Sequence, residues 1–329
     1  MFIAAQTVDA LTLPTSITAA NFCLFSKLSL DSNTNSIVRP DLNGSRTSII
    51  GLKGRMTGSY SAEMTLAGSG SAGVAPDNDV MLQSVFGQAP TVVATTSVTY
   101  NLTDAISTFA LYHFRKDTTG SATGITQQIG MGCTTKDCTI SVGQDLATIA
   151  FSGDCQHVLD TDNFANYLAA WKGGLSAMPT VPAGPLVSHG KGVIGFTGSI
   201  SVDGNVLAEL KSATVKLGTG NTIVSDSFGT FIGSGTEGDL RGMSISMTLD
   251  DNNGTAINDL KQKAWSFTPI DIILTAGTIP GEIWTITLKS VQLQGAKFND
   301  GQRRVRLDFG DSTAHGTGSG LDAVTLILT

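Results

Sequence analysis

Charge is scarce in this sequence: 14% of its 329 residues are Asp, Glu, Lys or Arg, and the balance is acidic, with a formal net charge of -7. A protein that grips nucleic acid through phosphates needs a basic excess or a dominant basic patch, so that class is excluded; DNA passing beside such a chain is not. Aromatic residues make up only 6%, too few for a glycan-binding surface that stacks rings against sugars. Cysteines number four, Cys23, Cys133, Cys138 and Cys155, which is no disulfide framework for a chain this long; separate reduced thiols are expected. No apolar run approaches the roughly 18 residues that span a bilayer, and Met1 to Gln6 carry no basic leader segment. A soluble product without a membrane anchor, cytoplasmic until assembled, is the expectation.

What is present is glycine, 38 residues of it, with abundant Ser and Thr and 41% hydrophobic residues, a mixture suited to many short strands joined by tight turns. Apolar and polar residues alternate strictly from Met243 to Leu249, as a half-buried strand requires. The pattern recurs at Tyr60, Ala62, Met64 and Leu66, at Trp284, Ile286 and Leu288, at Val305, Leu307 and Phe309, and at Val324, Leu326 and Leu328. Asn43-Gly44, Asp203-Gly204, Asn253-Gly254 and Asp300-Gly301 read as hairpin turns. Three helices are expected: 76–86, 256–265 and, capped by Asp160 or Thr161 and stopped by Gly173-Gly174, 161–172.

The length suits two domains. The proline-rich stretch 179–188 is the linker, leaving 1–178 as a first domain closed by helix 161–172 and 189–329 as a second. Landmarks repeat across it in one order. Asn35 to Val38 is echoed by Asn221 to Val224, Leu52-Lys53-Gly54 by Leu240-Arg241-Gly242, and the strand ending at Leu66 by the one ending at Leu249. Further on, Ile106 to Leu111 matches Ile283 to Leu288, and Gly143-Gln144 leading to Phe151 matches Gly301-Gln302 leading to Phe309. This reads as a duplication with diverged loops.

Motifs for chemistry are weak. Gly68 to Gly73 fits G-x-G-x-x-G between a strand and a helix, but the strand before it alternates instead of running continuously apolar, and Pro90 to Tyr100 offers no acid for a ribose. A strand-to-helix loop is the better reading. Cys133, Cys138, Cys155 and His157 supply four soft donors without the arrangement of a zinc finger or ribbon. His113, His157, His189 and His315 form no H-E-x-x-H, and no serine sits in G-x-S-x-G. Asp250, Asp251, Asp308 and Asp311 cluster near turns, and nothing selects two of them as a glycosidase pair. Arg303, Arg304 and Arg306 form the one dense basic spot, read as a solvated face or as the ion-pair partner of an acidic neighbouring subunit. No catalytic residue, metal site or cofactor is expected.

The stretch Ser59 to Gly87, a strand meeting a small-residue loop, the Ala75-Pro76 step and a short Leu-bearing helix, resembles the major tail tube proteins of long-tailed, siphovirus-type bacteriophages. Arg241 to Thr329 resembles the same family's second half; the departure is the duplication, since the common member carries one domain. The resemblance implies an all-β protein of two tandem tube domains, each a β-sandwich or barrel with a flanking helix. It implies subunits joined edge to edge into rings, rings stacked into the virion's tail tube, assembly in the host cytoplasm, and DNA ejected through the bore without specific binding. Partners would be the chain itself, the tape-measure, tail terminator and distal tail proteins. Ser59, Ser61, Glu63, Thr65, Ser244, Ser246, Thr248 and Asp250, opposite the core-facing residues of their strands, would line the lumen. Six domains of about four strands, at ~4.8 Å spacing and ~40° tilt, close a barrel roughly 45 to 50 Å across. Duplication then suggests three chains per ring, with six chains and an outer domain as the other arrangement. The polar stretches 31–47 and 218–239 are expected to be loops that reach the adjacent ring, and Asn35, Arg39, Asn43, Asn221, Asp226, Glu237, Arg304 and Arg306 are candidate contacts between subunits or rings. Another ring-forming virion or secretion-type tube protein, or a carbohydrate-binding β-sandwich, is the alternative.

Overall fold

The computed structural model describes residues 2–6, 12–14, 17–37, 52–116, 125–182, 190–207, 209–225, 232–233, 235–252, 254–299 and 305–329. Strands dominate. Up to the proline-rich stretch come β1 (Phe2–Gln6), β2 (Lys27–Ile37), β3 (Leu52–Thr65), helix α1 (Asp79–Phe86), β4 (Thr91–Val93), β5 (Ser97–Asn101), β6 (Thr108–Lys116), β7 (Ile125–Val142), β8 (Thr148–Cys155) and β9 (His157–Asp160). After it come β10 (Ser199–Val202), β11 (Asn205–Leu207), β12 (Leu210–Gly218), β13 (Asn221–Val224), β14 (Gly235–Gly238), β15 (Gly242–Asp250), helix α2 (Thr255–Ser266), β16 (Ile270–Ala276), β17 (Trp284–Gln292), β18 (Lys297–Asn299), β19 (Arg306–Ala314) and β20 (Val324–Leu328).

The pairings are all antiparallel, and one order occurs twice among them; β4–β5, β5–β20, β10–β11 and β13–β14 lie outside it. In the first half, β2-β3-β8-β7 form one sheet and β1-β6-β7-β9 another, with β7 crossing from the second into the first after Cys133. In the second half, β12-β15-β19-β18 and β10-β16-β17-β20 repeat the scheme, β17 and β18 together standing where β7 stands. Irregularities coincide as well. The β6–β7 register slips between Phe109 and Leu111, opposite Cys133, and the β16–β17 register slips between Ile270 and Ile272, opposite Val291. By this register β16 stands in the place of β6, so the sequence match of Ile106 to Leu111 with Ile283 to Leu288 sets together strands that are not topological counterparts. Phe151 and Phe309 do hold the same place, opposite Ala62 and Met247.

The two four-stranded sheets join. Six residue pairs, from Ala213↔Val142 to Gly218↔Asp137, hydrogen-bond β12 to β7, giving one continuous sheet in the order β2-β3-β8-β7-β12-β15-β19-β18. Beneath it a single cluster of buried side chains draws on both halves, from Tyr60, Met64 and Phe109 to Met247, Trp284 and Leu326. A smaller cluster on the far side of the β1-β6-β7-β9 sheet collects Phe2, Tyr112, Met131 and Phe164. That sheet is therefore covered on both faces, and Phe109 and Leu111 point one way while Ala110 and Tyr112 point the other.

Three expectations need correction. Residues 161–172 form no helix: two 3-10 turns, Phe164–Asn166 and Ala169–Trp171, are separated by extended backbone at Tyr167 and Leu168. The apolar face that would hold a helix does not exist, because Leu168 is 58% exposed, and Thr161 is spent on β7, its hydroxyl accepting from the Gln127 N–H at 2.9 Å. The stretches 31–47 and 218–239 are not plain loops, since β2 runs on to Ile37 and β13 pairs with β14. Asp203-Gly204 is a hairpin turn with both φ angles positive, 50° and 79°, but Gly254 has φ -71° and caps α2 instead. Asn43-Gly44 and the turn at 300–301 lie outside the described residues, as do 183–188 of the linker.

Candidate functional site

One face of the long sheet is apolar and buried; the other is polar. On β3 the buried Tyr60, Ala62 and Met64 alternate with Ser59, Ser61, Glu63 and Thr65, and on β15 the buried Met243, Ile245, Met247 and Leu249 alternate with Ser244, Ser246, Thr248 and Asp250. All eight residues expected on the polar face are on it. Neighbouring strands extend the same chemistry through Thr148, Ala150, Ser152 and Asp154 of β8, Thr139 and Ser141 of β7, and Ser212 and Thr214 of β12.

Carboxylates hold Lys27, Lys211, Lys216 and Arg306 on this face. Lys27 lies 2.8 Å from Glu63, which raises the lysine pKa through the hydrogen bond. Lys216 lies 3.3 Å from Asp311, and Lys211 lies 2.9 Å from Asp250. The Ser246 hydroxyl donates to Asp311 at 2.6 Å and, with Lys216, holds that carboxyl below its usual range. Thr248 donates to Asp308 at 2.8 Å, and Asp251 receives Lys261 at 2.7 Å. The acidic cluster is thus distributed over cross-strand contacts. Arg306 pairs with Asp250 in the ladder, its Nε 3.7 Å from the carboxylate, which gives it one ion partner within its own chain.

The sheet ends in two edges. Among the described residues β2 pairs with β3 alone and β18 with β19 alone. Residues 31–35 are exposed, Asn35 among them, and all of β18 is exposed, with Phe298 at 67%. Trp265 and Phe267, at the end of α2, are exposed too, and Lys261 of the same helix lies over the Phe298 ring at 5.5 Å. These are three exposed aromatic side chains on a protein otherwise poor in rings. Of the remaining contact candidates, Glu237 is exposed on β14. Asn221 is buried instead, its side-chain amide donating to the Thr135 carbonyl at 3.4 Å, and so anchors β13 to the first half. Arg39, Asn43, Asp226 and Arg304 lie outside the described residues.

The glycine motif has a structural explanation. Its backbone packs against the turn before β17: the Gly70 N–H donates to the Gly281 carbonyl at 3.3 Å, and a Cβ on Gly68 would stand 2.0 Å from that same oxygen. Close approach of two backbones requires the glycines, and α1 begins only at Asp79, well beyond the motif. Cys133 and Cys155 bring their sulfurs into contact at 2.6 Å, while the His157 and Tyr167 rings meet edge to face with centroids 5.0 Å apart. Among the described residues no three of His, Cys, Asp and Glu are grouped to hold a metal. No helix among them is long and apolar enough to cross a membrane.

Sequence reasoning missed the edge residues Phe298, Lys297 and Leu30. A lone aromatic in a three-residue strand has no periodicity to announce it, and only the pairing shows that the strand is terminal. No protein-family model matches this chain, and no curated protein matches it.

Proposed function

We propose that this chain is a structural assembly protein, a major tail tube protein in which a duplicated domain supplies two adjacent segments of a tube wall. One observation carries the reading: the β7–β12 ladder already joins two four-stranded sheets of the same pairing order side by side. That junction is heterologous, one edge of a sheet meeting the opposite edge of its counterpart, and it leaves the same two kinds of edge free at the ends. Heterologous contacts repeat until a ring closes or a filament grows. Closure removes edges that would otherwise make so β-rich a chain aggregate.

Three chains, each giving eight strands, make a closed sheet of ~24 strands, and at ~4.8 Å spacing and ~40° tilt its diameter is roughly 45 to 50 Å between backbones. The polar face would line the bore. Its hydroxyls and carboxylate-held lysines present no free basic field, so a DNA duplex would move past without being retained. Electron microscopy of the purified protein tests the reading: stacked rings with a bore of this size are expected, and discrete monomers at all concentrations would refute it.

A further inference from the structure

We infer that the neighbouring copy docks by strand addition, β2 of one chain against β18 of the next, in a register that sets Leu30 opposite Phe298 and Asp31 opposite Lys297. This rests on the tube reading for its closed form, but the register comes from the chain's own junction. Matching the two halves pair by pair places Leu30 with Val215, because each is one strand over from counterpart residues Tyr60 and Ile245. Those two in turn face Gly153 and Ser312 of the next strand. The same matching runs from Cys133 and Val291 along β7 and into β18, and places Ile140, two strands along from Met64 through Ile149, with Phe298, two strands along from Leu249 through Leu307.

Inside the chain, Val215 lies opposite Ile140 and Lys216 opposite Thr139. Transferred to the free edges, those pairs become Leu30↔Phe298 and Asp31↔Lys297, with Ser29↔Asn299 beside them.

Two observations that played no part in the matching agree with it. Burial differs on the β18 side as an unfilled junction requires: Ile140 is fully buried, whereas its counterpart Phe298 is 67% exposed; Leu30, like Val215, is already buried by its own core. The arm following β12 is covered too, with Thr219 donating to the Thr135 carbonyl at 2.6 Å, while residues 31–35 of the corresponding arm of β2 are exposed. Charge agrees as well. The transferred register brings an exposed carboxylate directly opposite an exposed ammonium on the polar face, and opposite charges facing across strands are favourable where like charges are not. A slip by one residue would turn Phe298 to the polar face and put Lys297 toward the core.

The experiment is cysteine cross-linking with a charge-swap series. Asp31→Cys with Lys297→Cys should form an interchain disulfide under mild oxidation, ending at a covalently closed trimer, while Ser29→Cys with Lys297→Cys, displaced by two residues, should link poorly. Asp31→Lys or Lys297→Asp alone should raise the concentration for half-assembly about fivefold, and the double swap should restore it. Rings that link only through the displaced pair, or through neither, overturn the register and leave the tube reading standing. Linking at 31–297 within open filaments keeps the register and overturns the closed tube. Monomers that never link overturn both.

Discussion

At the scale of single residues, two features constrain the fold in ways that can be measured. Gly68 and Gly281 meet where the first half's β3-to-α1 loop crosses the second half's turn, and the 2.0 Å clearance leaves no room for a methyl group. Gly68→Ala should lower stability by about 1–3 kcal/mol in urea unfolding, whereas Gly143→Ala, with nothing within 4 Å of the added carbon, should stay within about 0.5 kcal/mol; equal shifts would show that the seam is not close-packed. The four thiols are buried. Burial pushes Cys23 up to about 12 and raises Cys138 and Cys155 as well. A thiol that stays protonated in the fold but ionises near about 8.5 when unfolded stabilises the fold fully below that pH and progressively less above it. The urea midpoint should therefore fall between pH 8 and pH 10, and a thiol reagent at pH 8 should react only on unfolding. Rapid labelling of the folded protein would contradict this.

At the scale of elements, alternation in the sequence named most strands and their buried residues, because a period of two is written into any strand with one wet face. Tyr60, Ala62, Met64, Trp284, Ile286 and Leu288 are all core as expected. The misread segment, 161–172, shows the limit of local signals: an acidic cap and a glycine stop were present, but the tertiary contact that would pay for a helix was not. Likewise β18 and β13 are short strands with no readable period, and their partners alone make them strands. The β7–β12 junction is the element on which the architecture turns. Ile140→Ala, emptying a fully buried site opposite Val215, should cost about 2–5 kcal/mol. Phe298→Ala at the corresponding free edge should cost the isolated chain about 0.5 kcal/mol or less while weakening assembly. Similar losses in the unassembled chain at both positions would mean that Phe298 is already buried in solution.

At the scale of the molecule, the polar face governs what can pass along it. Its hydroxyls and locally neutralised lysines predict that assembled wild-type protein retains no duplex DNA in a filter-binding assay at low salt. Asp154→Lys with Asp311→Lys removes two carboxylates, one of which holds Lys216, and should create retention that weakens steeply as salt rises. Wild-type tubes that hold DNA as firmly as the variant would show that the lining is not what leaves the duplex free.

The sequence by itself determined the all-β class, the two-faced strands and the residues of the polar face, since each follows from spacing along a few consecutive positions. It also displayed a repeat of landmarks, but with β6 set against β17, because apolar alternation looks alike in every strand of a sheet. Which strand lies beside which, that the two halves share one continuous sheet and one core, and that β2 and β18 are its ends were decided only in three dimensions. Hydrogen-bond partners in a sheet are chosen between segments far apart in the chain, and no local pattern records that choice.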